Sequence, residues 1–172
     1  MNAKILFILF ALLLVSGAYS HKPGINETVY DTAAKQQILI GVCDREGLAS
    51  DIFGTYYRDE YERYAVDDST ASRLAGSWQE ITITVVMATW CGDSREQVGR
   101  FFKILDRTGF PTDKITLISV DKKKKGGSVL LENLDIQKVP TFIVYRNGKE
   151  AGRIIETPTD TLEKDLLLIL EK

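Results

Sequence analysis

Ile81-Thr82-Ile83-Thr84-Val85-Val86-Met87-Ala88-Thr89-Trp90, then Cys91-Gly92-Asp93-Ser94, then Arg95-Glu96-Gln97-Val98-Gly99-Arg100-Phe101-Phe102-Lys103-Ile104-Leu105-Asp106 is the stretch that decides the fold. Its first part is apolar and β-branched, and too short for a helix of its own, so it reads as a buried strand. Its last part changes period. Val98, Phe101, Phe102 and Leu105 fall at i, i+3, i+4 and i+7, the spacing of one apolar face of a helix. Cys91 therefore stands at a strand-to-helix junction, beside unpaired backbone N–H groups and the positive end of a helix dipole. Such a position favours the thiolate, the reactive form of a cysteine.

Trp90-Cys91-Gly92-Asp93-Ser94 resembles the Trp-Cys-Gly-Pro-Cys site of the thioredoxin family, with the third and fifth residues of that motif replaced. Around Pro140, forty-six residues after Ser94, Val139-Pro140-Thr141-Phe142-Ile143-Val144-Tyr145-Arg146-Asn147-Gly148-Lys149 is similar to the family's segment with a cis-proline, a strand and a hairpin turn. The two motifs cover about residues 80–172, each in the strand or helix context it needs. The resemblance implies an α/β thioredoxin fold: a mixed central sheet with helices on both faces, here with an N-terminal helical extension.

Outward from this centre, residues 1–20 read as a signal peptide. Lys4 supplies a positive start, Ile5 to Val15 is unbroken apolar sequence, and Ala18-Tyr19-Ser20 offers small residues for cleavage after Ser20. This predicts export to a periplasm or the outside, with a membrane contact only if the segment stays uncleaved. Lys4 is the one charged residue among these twenty, so the remainder carries 21 basic and 24 acidic side chains, a net of −3. That balance gives no electrostatic reason to expect nucleic acid. About 150 residues suffice for one core, and two cysteines are too few for a disulfide scaffold.

Residues 21–79 read as an extension packed on the core. His21 to Lys35 looks like a loose lead-in, in which Asn26-Glu27-Thr28 matches a glycosylation sequon. Gln37 to Val42 reads as a strand ending at Cys43. Leu48, Ile52, Phe53, Tyr56, Tyr57, Tyr61 and Tyr64 recur at mostly helical spacing, which predicts an aromatic-faced helix packed into the core. Asp67-Asp68-Ser69-Thr70 offers caps for a short helix containing Ala71, Leu74 and Trp78. In the thioredoxin-like domain, 80–172, Ile115 to Val120 reads as a strand parallel to the central one. Lys122 to Lys125 reads as a solvated loop, and Val129 to Ile136 as a short helix. Asn147-Gly148 closes a hairpin, and Thr157-Pro158-Thr159-Asp160 caps a final helix with proline at its first position.

The resemblance assigns roles. Cys91 is the nucleophile, and Ser94 occupies the place of the second, resolving cysteine, whose work a hydroxyl cannot do. Trp90, Gly92, Asp93, Val139, Pro140 and Thr141 surround the site. The backbone at Val139 would pair with an extended substrate segment, with Trp90 flanking the same groove. Asp93 favours the helix N-terminus yet repels a neighbouring thiolate. Val85 stands where the family carries a buried, proton-relaying Asp, and Gly99 where it has a helix-kinking Pro, which would also permit a bend. Cys43 stands open as a distant resolving partner, a structural thiol or a dimerising cysteine.

With one histidine, His21, and no haem-attachment or phosphate-binding motif, the chain offers no metal site and no cofactor. Three activities stay open. One is a thiol-disulfide oxidoreductase acting through Cys91 alone on protein disulfides or thiols, with an external thiol or reductase as electron donor. A second is a redox-inactive module that binds extended polypeptide. The third is a two-cysteine enzyme in which Cys43 resolves, which requires Cα atoms about 4.4–6.8 Å apart.

Overall fold

The computed structural model describes residues 24–172; the signal-peptide reading of 1–20 and His21 lie outside the described residues. The central run forms strand β3 (Ile81–Met87), with Ile81, Ile83, Val85 and Met87 buried on one face and Val86, followed by Ala88, on the other. Around it the chain runs β1 (Glu27–Asp31), β2 (Gln36–Cys43), α1 (Arg45–Leu48), α2 (Gly54–Arg63), α3 (Asp68–Ala75), β3, α4 (Gly92–Arg107), β4 (Ile115–Ser119), β5 (Thr141–Arg146), β6 (Lys149–Ile155) and α5 (Leu162–Leu170). The strands form one six-stranded sheet in the order β1-β2-β4-β3-β5-β6. β3 and β4 are parallel, Val85 opposite Leu117, as a strand-helix-strand crossover requires. All other pairs are antiparallel. The β5–β6 turn is Asn147-Gly148, both with positive φ (52° and 72°), the conformation that suits this dipeptide.

The sheet's first face and the helices build the main core. The amphipathic face expected for α4 lies there: Val98, Phe101, Phe102 and Leu105 are buried, and Phe101 stacks on Phe142 with centroids 4.2 Å apart. Leu48, Tyr57, Leu74 and Leu166 bring α1, α2, α3 and α5 into the same cluster. The helices therefore share one core instead of dividing between both faces. Val86, Ala88, Ile118, Val120 and Val139 on the second face are covered by the irregular chain from 121 to 138, through Val129, Leu131, Leu134 and Ile136.

That segment is a correction to the expected helix at Val129–Ile136. One 3-10 turn, Glu132–Leu134, is all that forms, and Asp135 follows at φ 47°. The lead-in is a second correction, since it contains β1 with exposed burial throughout all but its last residue. An edge strand that buries neither face shows no alternation to read. β2 pairs directly with β4, so the strands of the extension lengthen the sheet while its helices α1, α2 and α3 pack into the main core. The aromatic segment is split between α1 and α2, where a Cβ at Gly54 would stand 2.4 Å from the Ala49 carbonyl oxygen.

Asp67 caps α3, accepting from the Thr70 N–H at 2.8 Å, but Trp78 lies beyond the helix and packs edge-on against Phe110. α5 begins at Leu162 behind the cap Thr161, four residues later than its proline signal suggested. Asn26, at φ 59°, donates through its amide to Asp44 (2.7 Å) and accepts from the Asp44 N–H (3.0 Å). The sequon asparagine thus ties the start of β1 to the cap of α1. Among the described residues no helix is long and apolar enough to cross a membrane.

Candidate active site

Cys91 is the N-cap residue of α4, with extended backbone (φ −89°, ψ 130°) and a half-buried side chain. It leaves β3 through a tight turn in which the Cys91 N–H donates to the Ala88 carbonyl at 3.0 Å. The N–H groups of the first turn of a sixteen-residue helix lie beside it. Its thiol donates to the carbonyl oxygen of Val139, Sγ···O 3.1 Å, and the Val139–Pro140 peptide is cis. The two motifs 49 residues apart thus meet at one sulfur.

Trp90 is half-buried in the second-face cluster, its indole N–H donating to the Val120 carbonyl at 2.9 Å. The ammonium of Lys122 sits 4.0 Å from the centre of its ring, a cation–π contact. Gly92 is exposed, with open space where a Cβ would be. Asp93, an acid in the first turn of α4, also lies within electrostatic reach of Lys138, whose ammonium is held charged first by its bond to Glu156 (2.6 Å) and then by these neighbouring carboxylates. Thr141 is buried and its hydroxyl donates to the Lys138 carbonyl, fixing the chain on the far side of Pro140.

Ser94 is placed for structure. It is fully buried, and its hydroxyl oxygen accepts the Ala88 N–H at 3.1 Å, closing the strand-to-helix turn from inside. Cys43 is not placed to resolve. It lies on β2 opposite Leu117, which is in turn opposite Val85 on β3. Two strand spacings amount to about 10 Å, beyond the roughly 6.8 Å limit for a disulfide, and Cys91 lies six residues further along the chain than Val85. Cys43 belongs to the main core, and burial pushes its thiol up to about 12. It is a packing cysteine.

Gly99 does not interrupt α4, which is continuous from Gly92 to Arg107. A Cβ there would stand 2.5 Å from the Tyr57 carbonyl oxygen, so the glycine lets α2 lie directly on the active-site helix. Further along that contact, Arg95 donates to the Thr89 carbonyl and stacks over Tyr56 at 4.4 Å. Lys122, Arg95 and Tyr56 carry no motif, so sequence reasoning passed over their place beside the site. Thr89, two residues before the nucleophile, has a buried hydroxyl oxygen with no hydrogen-bond partner. Among the described residues no group of three or more His, Cys, Asp or Glu side chains is placed to hold a metal ion.

A mixed sheet whose parallel strand delivers a cysteine to a helix N-terminus, against the carbonyl before a cis-proline, defines a thioredoxin-fold protein with a single sulfur at its site. The thioredoxin family model matches residues 67–167, and the chain belongs to that family. It is 32% identical over 66 residues to thioredoxin Y, chloroplastic, of Oryza sativa subsp. japonica, covering 38% of this chain and 36% of the rice protein. It is 37% identical over 73 residues to a thioredoxin-5 of Dictyostelium discoideum, covering 42% of this chain and 66% of that protein. The chain thus spans about a third of one relative and just under two-thirds of the other. A solved structure of a protein of unknown function from Pseudomonas aeruginosa superposes with a TM-score of 0.50 at 17% identity, covering 68% of this chain and 81% of that one, a likeness of fold alone.

Proposed function

We propose that this protein is exported to the periplasm or secreted, loses residues 1–20, and works as a monothiol thiol-disulfide oxidoreductase through Cys91. Its substrates are protein disulfides or thiols, and an external thiol or reductase restores the reduced enzyme. The observation that carries this reading is the Cys91 thiol at the start of α4, 3.1 Å from the carbonyl preceding cis-Pro140.

That geometry supports a two-stage exchange. The S–H···O bond exists only while the sulfur keeps its proton. When Cys91 gives that proton to water, Sγ and the Val139 carbonyl are both released, the first as a nucleophile and the second as an acceptor for a substrate backbone N–H. The thiolate attacks one sulfur of the substrate disulfide. A Cys91–substrate S–S bond forms, the original S–S bond breaks, and the electron pair leaves on the second substrate sulfur, which takes a proton from water. With Ser94 buried under Ala88 and Cys43 two strands away, the mixed disulfide is cleaved from outside by a second thiol of the substrate or of a small molecule.

The test uses neutral 2,2′-dipyridyl disulfide on the folded protein. One 2-thiopyridone is released per native chain, none by Cys91→Ser, and Cys43→Ser behaves as wild type. Glutathione then frees Cys91 for a further round. Native chains that release no thiopyridone would sink the exchange reading and leave a polypeptide-binding groove between Trp90 and Pro140 as the function. Intact mass of protein recovered from outside the cytoplasm checks export; a chain still beginning at Met1 would overturn cleavage.

A further inference from the structure

The chain between β4 and Pro140 forms the whole second-face flank of the site, and its first residues carry the one run of four lysines in the sequence. This run is fixed in place by its own backbone. One oxygen of the Asp121 carboxylate accepts the N–H groups of Lys123 and Lys125, each at 2.8 Å, and Asp31 on β1 accepts the N–H of Lys122 at 2.9 Å. These bonds hold the Asp31 carboxylate in its charged form, and its charge also acts on Lys122. Among the described residues none of the nine ion pairs includes Lys122, Lys123, Lys124 or Lys125. Lys122 instead covers the ring of Trp90, so the surface beside Cys91 presents an ammonium in place of a bare indole.

The other three lysines line a concavity of about 480 Å³ together with Leu130, which is 82% exposed, and with Glu132 and Asp135. Lys122 stands on Trp90, the neighbour of the nucleophile, and begins the longest block of one charge sign in the sequence, with the carboxylates of Asp31, Asp121, Glu132 and Asp135 set among its lysines. An acidic partner gains from the lysines and is turned away by Glu132 and Asp135, so the loop reads the position of acidic groups.

Resting on the reading of Cys91 as an exchange thiol, we propose that the Lys122–Lys125 loop is a docking element for acidic polypeptide, selecting substrates whose cysteine is flanked by Asp or Glu. An extended chain advances about 3.3 Å per residue, so carboxylates roughly two to four positions from the substrate cysteine reach the lysines while its sulfur meets Cys91.

Two peptides test this, identical except that Asp and Glu flank the single cysteine in one and Lys in the other, each carried as its 2-thiopyridyl disulfide. Attack by Cys91 forms the Cys91–peptide disulfide and releases 2-thiopyridone. At low salt the acidic peptide reacts about 10-fold faster, and the ratio falls toward one at about 1 M NaCl, where screening acts within roughly 3 Å. The K123E/K124E/K125E chain reverses the preference. Neutral dipyridyl disulfide reports the Cys91 chemistry separately, and each peptide rate is divided by the rate of the same chain with that probe, which removes any change in the thiolate fraction.

Equal peptide rates alongside normal reaction with the neutral probe would overturn the docking proposal and leave the exchange reading standing. So would a preference that survives 1 M NaCl or the triple variant. Equal peptide rates with retention on phosphatidylglycerol vesicles would assign the loop to a lipid surface, also against the proposal. If the neutral probe fails to react, the exchange reading falls by itself. Fluorescence polarisation of the same peptides with Ser for Cys then decides docking, upheld by tighter binding of the acidic peptide that the triple variant loses and refuted by equal binding.

Discussion

Gly99→Ala separates two opposite expectations for the active-site helix. In a helix interior, alanine is favoured over glycine by about 1 kcal/mol, so propensity alone predicts a more stable protein. The structure predicts the reverse. The new Cβ would lie 2.5 Å from the Tyr57 carbonyl oxygen, 2.9 Å from the Tyr61 nitrogen and 3.1 Å from the Glu60 Cβ. Two of these are backbone atoms, so no rotamer relieves the clash, and α2 must lift away from α4. That movement disturbs the edge-on contact of Tyr57 with Phe102 (6.0 Å), the Tyr61 hydroxyl on Asp106 (2.8 Å) and Arg100 on Glu60 (2.7 Å). Overpacking costs about 1–3 kcal/mol and a weakened aromatic pair about 0.5–1.5 kcal/mol. Set against the propensity gain, the net is a loss of about 1–3 kcal/mol, or a Tm lower by about 3–10 °C for a chain of this size. Urea and thermal unfolding followed by circular dichroism measures it. Gly92→Ala is the matched control: it begins the same helix with no atom within 4 Å, and is expected within about 0.5 kcal/mol of wild type. A Gly99→Ala protein as stable as wild type would refute the close approach of α2, and with it the account of how the extension joins the fold.

Ser94→Ala leaves the Ala88 N–H without its acceptor and costs about 1–3 kcal/mol in urea unfolding, while thiopyridone release by Cys91 persists; loss of release at unchanged stability would return Ser94 to the chemistry. Thr89→Val removes a buried oxygen that has no partner and keeps the volume, so stability holds or rises by about 1 kcal/mol; a loss beyond 1 kcal/mol would show a bond that this geometry lacks. Native alkylation with iodoacetamide at neutral pH labels Cys91 and spares Cys43, with both labelled in urea; a labelled Cys43 in folded protein would contradict its burial. Burial keeps Cys43 protonated up to about 12 when folded, whereas an unfolded cysteine ionises near 9. Above pH 9 the unfolded chain therefore binds fewer protons, and stability falls as pH rises toward 12, by at most about 1.4 kcal/mol per pH unit from this group. The fall is shallower in Cys43→Ala, as denaturation midpoints at pH 8.5 and 10.5 would show.

What sequence reading recovered and what it missed divide along a physical line. The Ile81–Asp106 stretch was legible because a short β-branched run buried on both faces reads as a strand, because burial of one face imposes the 3.6 period of α4, and because Asn147-Gly148 has a backbone preference of its own. β1 was not legible, since Glu27 to Tyr30 are all exposed and the strand exists through its ladder to β2. Val129 to Ile136 has enough leucine and isoleucine for a helix, yet it covers the second face with Val129, Leu131, Leu134 and Ile136 in irregular chain that turns at Asp135, φ 47°. Ser94 and Gly99 mark the same limit at the site. Each was read through the residue the family carries there, a resolving sulfur and a helix kink, whereas each is set by a neighbour distant in sequence or invisible to pattern: the Ala88 amide for one and the α2 backbone for the other. Lys122 follows the same rule. As part of a run of lysines it signals only solvation, and it gains meaning when β4 ends beside β3 and lays that lysine on Trp90. The nucleophile could be found from local sequence because its chemistry is local. The groups that position it, and those that would choose its substrates, belong to the tertiary contacts of the flanking loop and the extension.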